Sequence, residues 1–161
     1  MSQPNKVEVK GDFRKLNQVI QALTEGNKMA VKVGILSKKN ARNDGESNAS
    51  IGAIHEFGSF SKKIPKRSFI KMPLMRKSNE IVKEIQRLVE ESLVTGDLVP
   101  LLKKVGVVAE GAIGEAFATK GFGTWAPIAP ATERRKGSDA VLIETSQLQR
   151  SITSAVVKRG A

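Results

Sequence analysis

Met29-Ala-Val-Lys-Val-Gly-Ile-Leu36 reads as a β-strand, and the fold class follows from what surrounds it. Val31, Val33 and Ile35 alternate with Lys32 and Gly34, which puts the branched apolar side chains on one face of an extended chain. Such a strand needs a pairing partner and a cover. A second apolar run, Ile152–Val157, lies near the other end of the chain and suits a closing strand. Cover comes from helices. Phe13, Leu16, Ile20 and Leu23 recur at helical spacing behind Asp12, which predicts a capped helix to about Glu25 with Gly26 as its stop.

Two longer helices are predicted in the middle. In Ser78–Val94 the residues Ile81, Ile85, Leu88, Val89 and Ser92 form one stripe, flanked by Glu84–Arg87 and Arg87–Glu91 pairs. Thr95-Gly96-Asp97 breaks that helix, and Asp97 caps a second over Leu98–Ala118, with Pro100 tolerated in the first turn. Gly106, Gly111 and Gly114 each cost about 1 kcal/mol in a helix interior, so another helix packed closely on a Gly/Ala face is expected.

The shorter signals are weaker. Asn48 or Ser50 caps a short helix through Phe57, stopped by Gly58. Ile64-Pro65 starts an extended run, because the residue before proline avoids the helical region. Residues 119–140 read as irregular, with a helical turn or two at Ala131–Lys136. Val141–Ile143 reads as a short strand or extended entry, and Ser146 as the cap of a turn over Gln147–Arg150. The expectation is an α+β fold in a single domain, 1–161. A small antiparallel sheet is packed by the N-terminal helix and two longer central helices. Extended loops complete it, among them a flexible basic loop at about 37–47.

Composition narrows the function classes. The 161 residues contain no cysteine and one histidine, which excludes a disulfide scaffold, a thiol nucleophile, a Cys-ligated metal and a His-rich centre. The formal net charge is +11, and residues 28–77 alone carry +9 of it. A block of that kind suits a polyanion, an acidic protein surface or plain solvation. The N-terminus lacks the apolar core of a signal peptide, and Glu110 and Glu115 interrupt the longest apolar stretch, Val105–Ala118. The chain is therefore expected to be soluble, intracellular and without a membrane partner.

No catalytic, metal or cofactor residue is expected, and the protein is not read as an enzyme. His55-Glu56 is the one acid–base pair, but adjacent helical residues do not share a face. Gly121-Phe-Gly123 lacks the Lys-Ser/Thr of a phosphate loop. Apolar anchors flanked by charge are characteristic of interfaces. His55, Glu56, Phe57, Phe60, Lys62, Lys63, Lys66, Arg67 and Phe69 are accordingly assembly-interface candidates. Trp125 reads either as an anchor packing an irregular loop onto the core or as an intersubunit contact. Lys38, Lys39 and Arg42 are candidate contacts to a DNA path or an acidic partner.

Several segments, in order, resemble the virion morphogenesis proteins of tailed phages, a grouping that includes neck and tail-completion proteins. They are Val31–Leu36, Ala49–Gly58, Ile64-Pro-Lys-Arg-Ser-Phe-Ile70, Trp125-Ala-Pro-Ile128, Thr132–Gly137 and Leu142–Ile152. The third is similar to the family's Pro-x-Arg-x-Phe run. The last is similar to its Leu-Ile-Asp-Thr-Gly-x-Leu-x-x-Ser-Ile, with Glu144 in place of Asp and Ser146 in place of Gly. The resemblance spans about residues 28–157. It implies a structural protein of the virion neck or tail top, assembled in the host cytoplasm, that completes the tail and supports head–tail joining. It also implies a homo-oligomeric ring, a hexamer, seated among neck, head-completion and tail-terminator proteins with DNA nearby. The competing expectation is a free basic nucleic-acid-binding protein acting in packaging or regulation.

Overall fold

The computed structural model describes residues 14–36, 40–41, 45, 47–142 and 146–160. Two strands and seven helices make up the described chain, an α+β fold. In order they are α1 (Arg14–Asn27), β1 (Met29–Ile35), α2 (Asn48–Phe57), α3 (Lys71–Arg76), α4 (Ser78–Thr95), α5 (Val99–Ala118), α6 (Pro130–Lys136), α7 (Gln147–Arg150) and β2 (Ile152–Lys158). The predicted cap Asp12, Phe13, Lys38, Lys39, Arg42 and most of the loop at 37–47 lie outside the described residues.

β1 and β2 pair antiparallel over their full length, from Met29 opposite Lys158 to Ile35 opposite Ile152. A two-stranded ribbon is marginal alone, and α5 lies across it. The approach is closest at Gly106. A Cβ there would come within 2.8 Å of Ser154 Cβ and 3.5 Å of Val31. The close approach expected of the helix glycines is therefore real at one position of three, and its partner is the sheet rather than a helix. Gly111 and Gly114 face nothing within 4 Å. α4 packs on α5, and Lys77 at its start bridges to Glu115 of α5 at 3.1 Å.

The core gathers where α5, α7, β2 and the loops meet: Phe69, Ile113, Ala116, Phe117, Trp125, Val141, Leu148 and Ile152. Three aromatic rings stack edge to face, Phe69 on Phe117 at 5.4 Å and Phe117 on Trp125 at 5.8 Å. Contacts of this geometry add about 0.5–1.5 kcal/mol each beyond area burial.

Local signals set most boundaries. α5 starts one residue later than the sequence suggests, with Leu98 rather than Asp97 at its N-cap and no side-chain cap there, although Asp97 Oδ1 accepts the Val99 N–H at 2.9 Å. The Glu84–Arg87 pair forms at 2.6 Å, whereas the Glu91 side chain lies outside the described part. α2 begins at Asn48, but neither Asn48 nor Ser50 caps it. Ser47 Oγ accepts from Ser50 N at 3.0 Å, and Asn40 Oδ1 accepts from Ala49 N at 2.8 Å. α2 ends at Gly58, whose φ of 80° favours glycine.

Two expectations are corrected here, and one element was not foreseen. Val141 and Leu142 form a turn rather than a strand, with Leu142 at φ 61°. Ser146 precedes α7 at φ 57° and makes no side-chain cap. α3 had no counterpart in the sequence reading. On α1, Leu16, Ile20 and Leu23 remain about half exposed, at 52%, 52% and 50%, while Ala22 packs inward.

Candidate functional site

The segment from α2 to α3 divides into side chains that hold the fold and side chains that face outward. Ser59 and Ile64 form a bridge closed by reciprocal 2.9 Å hydrogen bonds, so residues 60–63 make a hairpin tip. Phe60 stands fully exposed on that tip, and Phe57 beside it is 74% exposed. Lys62, Lys63 and Lys66 are exposed as well. All five are exposed, with Lys62 and Lys63 lining one cavity and Lys66 another.

Glu56, Arg67, Phe69 and Trp125 turn inward. The Glu56 carboxylate is buried and accepts four hydrogen bonds. Oε1 takes Ser68 Oγ at 2.6 Å and Lys71 N at 3.1 Å, and Oε2 takes Phe69 N at 2.7 Å and Ile70 N at 2.9 Å. Two of these donors, Ile70 N and Lys71 N, are backbone groups that α3 leaves without a helical partner at its start, and Phe69 N lies just before it. Ser68 Oγ also accepts Met72 N at 3.0 Å, completing the cap.

Arg67 is similarly committed. Its guanidinium donates from Nε to Ala126 O and from Nη2 to Pro127 O, both at 2.9 Å, and its backbone N–H bonds His55 O at 2.7 Å. It thus clips the 125–128 loop against the end of α2. Burial lowers its pKa, from a starting value so high that the charge is kept. Trp125 donates Nε1–H to Ser68 O at 3.3 Å, and Phe69 is fully buried. Of the interface candidates, these four serve contacts inside the chain, and Trp125 is an anchor of its loop.

His55 sits between the two sets, half-buried. Its Nδ1 is buried with no hydrogen-bond partner among the described residues. Burial first, and the Arg67 charge second, hold the imidazole below its ordinary value.

Beside this segment runs a cleft of about 750 Å³ that sequence reasoning did not foresee. The Ser59–Arg67 hairpin forms one wall and α6 the other. Lys62, Lys63, Arg67, Arg135 and Lys136 line it, with Ile51, Ile64, Ile128 and Leu148 as aliphatic surface. The cluster Arg134-Arg135-Lys136 was visible in the sequence, but its partnership with Lys62 and Lys63 depends on the loop that Arg67 fixes.

Among the described residues no helix is long and apolar enough to cross a membrane, and no group of three His, Cys, Asp or Glu could hold a metal ion. No protein-family model matches the chain, and no curated protein or solved structure matches it.

Proposed function

We propose that the protein is a structural component of a tailed-phage virion, placed at the neck or tail top, where it completes the tail and supports head–tail joining. Phe57, Phe60, Lys62, Lys63 and Lys66 are its assembly face, and copies of the chain form a closed ring through contacts between unlike surfaces. Six copies are what the resemblance implies.

One observation carries this reading. The segments that resemble the phage family are far apart in sequence, yet they interlock in space. Glu56 of the second segment caps the helix that follows Phe69 of the third. Arg67 of the third holds Ala126 and Pro127 of the fourth. Leu148 and Ile152 of the last share the core with Phe69 and Trp125. Residues that a shared motif set would have to keep are those the fold needs. Ser146, standing where the family has glycine, adopts φ 57°, a conformation that glycine favours.

The test is mass measurement of purified particles of the phage whose genome encodes the chain, together with complementation of a deletion. The chain is expected in several copies per particle. The deletion is expected to accumulate filled heads and unjoined tails. A Lys62→Ser, Lys63→Ser, Lys66→Ser triple variant is expected to fold normally, since exposed charges contribute little to stability, and to restore joining poorly. Absence of the chain from particles would overturn the reading. The net +9 of residues 28–77 favours the second reading, a free nucleic-acid-binding protein. That reading requires such absence, together with DNA affinity that falls steeply with salt.

A further inference from the structure

A second hollow, of about 570 Å³, opens over α3 and shares no lining residue with the cleft. Its volume falls in the range of about 300–1,000 Å³ typical of ligand sites. Met72 and Met75 supply its apolar surface, and Met75 is 65% exposed. A methionine side chain is unbranched and polarizable, so it adapts to whatever apolar group covers it, and methionine is enriched at protein interfaces. Lys66, Lys71 and Arg76 line the same hollow, and no carboxylate does so among the described residues.

The three cations differ in what they are free to do. Arg76 is held over the Phe122 ring at 4.7 Å, so it lends its charge but is not asked to pair. Lys66 and Lys71 are exposed, and among the described residues neither ammonium has a hydrogen bond or an ion pair. The frame beneath them is fixed from inside. Glu56 accepts the Lys71 N–H, Ser68 Oγ accepts the Met72 N–H at 3.0 Å, and Trp125 donates to Ser68 O. Two such ammonium groups beside a thioether floor, on a backbone already held in place, favour a ligand that brings carboxylates and a bulky apolar side chain together. A polyanion recognised by charge alone would leave the methionines in water. A second copy of the chain would bring its own net charge of +11 against the same cations.

We propose that this hollow binds a short acidic segment of a partner protein. One bulky apolar side chain of the segment covers Met72 and Met75, and the carboxylates beside it pair with Lys66 and Lys71. Lys66 also belongs to the assembly face proposed above, but binding at this hollow is independent of whether the chain is a virion component. Particle composition tests that reading, and a peptide in solution tests this one.

The test uses the full chain and a fluorescein-labelled peptide with one leucine flanked on each side by two aspartates, read by fluorescence anisotropy at physiological salt. The wild type is expected to bind it saturably. A Lys66→Gln, Lys71→Gln variant is expected to lose at least fivefold in affinity, and Met75→Ala at least threefold. A Lys15→Gln, Lys103→Gln variant removes the same charge outside the hollow and is expected to change affinity less than twofold. Circular dichroism and thermal unfolding confirm that the variants fold. Replacing the leucine of the peptide with serine is expected to weaken binding at least threefold, and a single-stranded oligonucleotide is expected to compete less well than unlabelled peptide. Equal loss in the two lysine variants would reduce the effect to net charge and overturn the proposal. So would unchanged affinity of Met75→Ala or of the serine peptide, competition by the oligonucleotide equal to that of the peptide, or no saturable binding by the wild type.

Discussion

Replacing Glu56 by alanine removes the acceptor of four hydrogen bonds at a site that is 7% exposed. The Phe69 N–H is buried and cannot turn to water, and the Ile70 and Lys71 N–H groups are partly buried. Hydrogen bonds to a charged group contribute about 1.5–3 kcal/mol each, and a buried donor left without a partner costs about 1–3 kcal/mol. Water reaching Lys71 and Ser68 recovers part of this. The net loss for Glu56→Ala is therefore about 3–5 kcal/mol, a large share of the roughly 5–15 kcal/mol by which domains are stable. It corresponds to a fall in Tm of about 6–20 °C for a chain of this size.

Glutamine at the same position makes the argument sharper. All four partners present donors to the carboxylate, so the amide NH₂ of Glu56→Gln must face two of them. The least costly choice puts it at the Oε1 position, where Ser68 Oγ can rotate to accept but the Lys71 N–H cannot. One backbone donor is orphaned, at about 1–3 kcal/mol. Urea unfolding followed by the fluorescence of Trp125, the single tryptophan, measures both variants. Alanine is expected to cost more than glutamine, and glutamine more than wild type. An alanine variant within 1 kcal/mol of wild type would refute the assignment of Glu56 as the clamp of α3.

Two further outcomes follow from the same geometry. Gly106→Ala is expected to destabilise by about 1–3 kcal/mol, because overpacking against the sheet outweighs the gain in helix propensity, whereas Gly111→Ala, which meets nothing within 4 Å, is expected to stabilise by about 1 kcal/mol; chemical denaturation of the pair checks the sign of each. The pKa of His55 is lowered in the fold by burial and by the Arg67 charge, so its neutral form contributes stability that is present above its unfolded value near 6.5 and lost as pH falls through the folded value; a His55→Gln variant is expected to lose less stability than wild type between pH 7 and pH 5 in urea titrations.

The strands and long helices were legible because their signals are local. Alternation at Val31, Val33 and Ile35 needs no knowledge of the partner strand, and Gly58 and Gly96 stop their helices by backbone chemistry alone. α3 was not legible, because its cause lies elsewhere in the chain: six residues form a helix under a carboxylate fifteen positions before Lys71. The same distance hid the part Glu56 plays, since beside His55 and Phe57 in the sequence it reads as an interface residue. Val141 misled for another reason. An apolar triplet predicts burial, and Val141 is 2% exposed, but burial does not specify an extended backbone. The cleft was illegible as a site because its two walls are more than sixty residues apart and meet only through loops.

Arg67 shows how fold and binding divide within one short run. From Pro65 to Ser68 the chain is neither helix nor paired strand, and burial changes from one residue to the next: Lys66 is exposed, Arg67 buried, Ser68 half-buried and Phe69 buried. Read as composition, Lys62, Lys63, Lys66 and Arg67 form one basic cluster, and a variant neutralising all four would look like a test of binding. The two part-buried hydrogen bonds of the Arg67 guanidinium make it something else, since its loss frees the 125–128 loop and with it one wall of the cleft. Removal of one partner from such a contact costs folding stability, while removal of an exposed lysine does not. The exposed lysines can therefore report on partners. Arg67 reports on the architecture that brings the hairpin and α6 together.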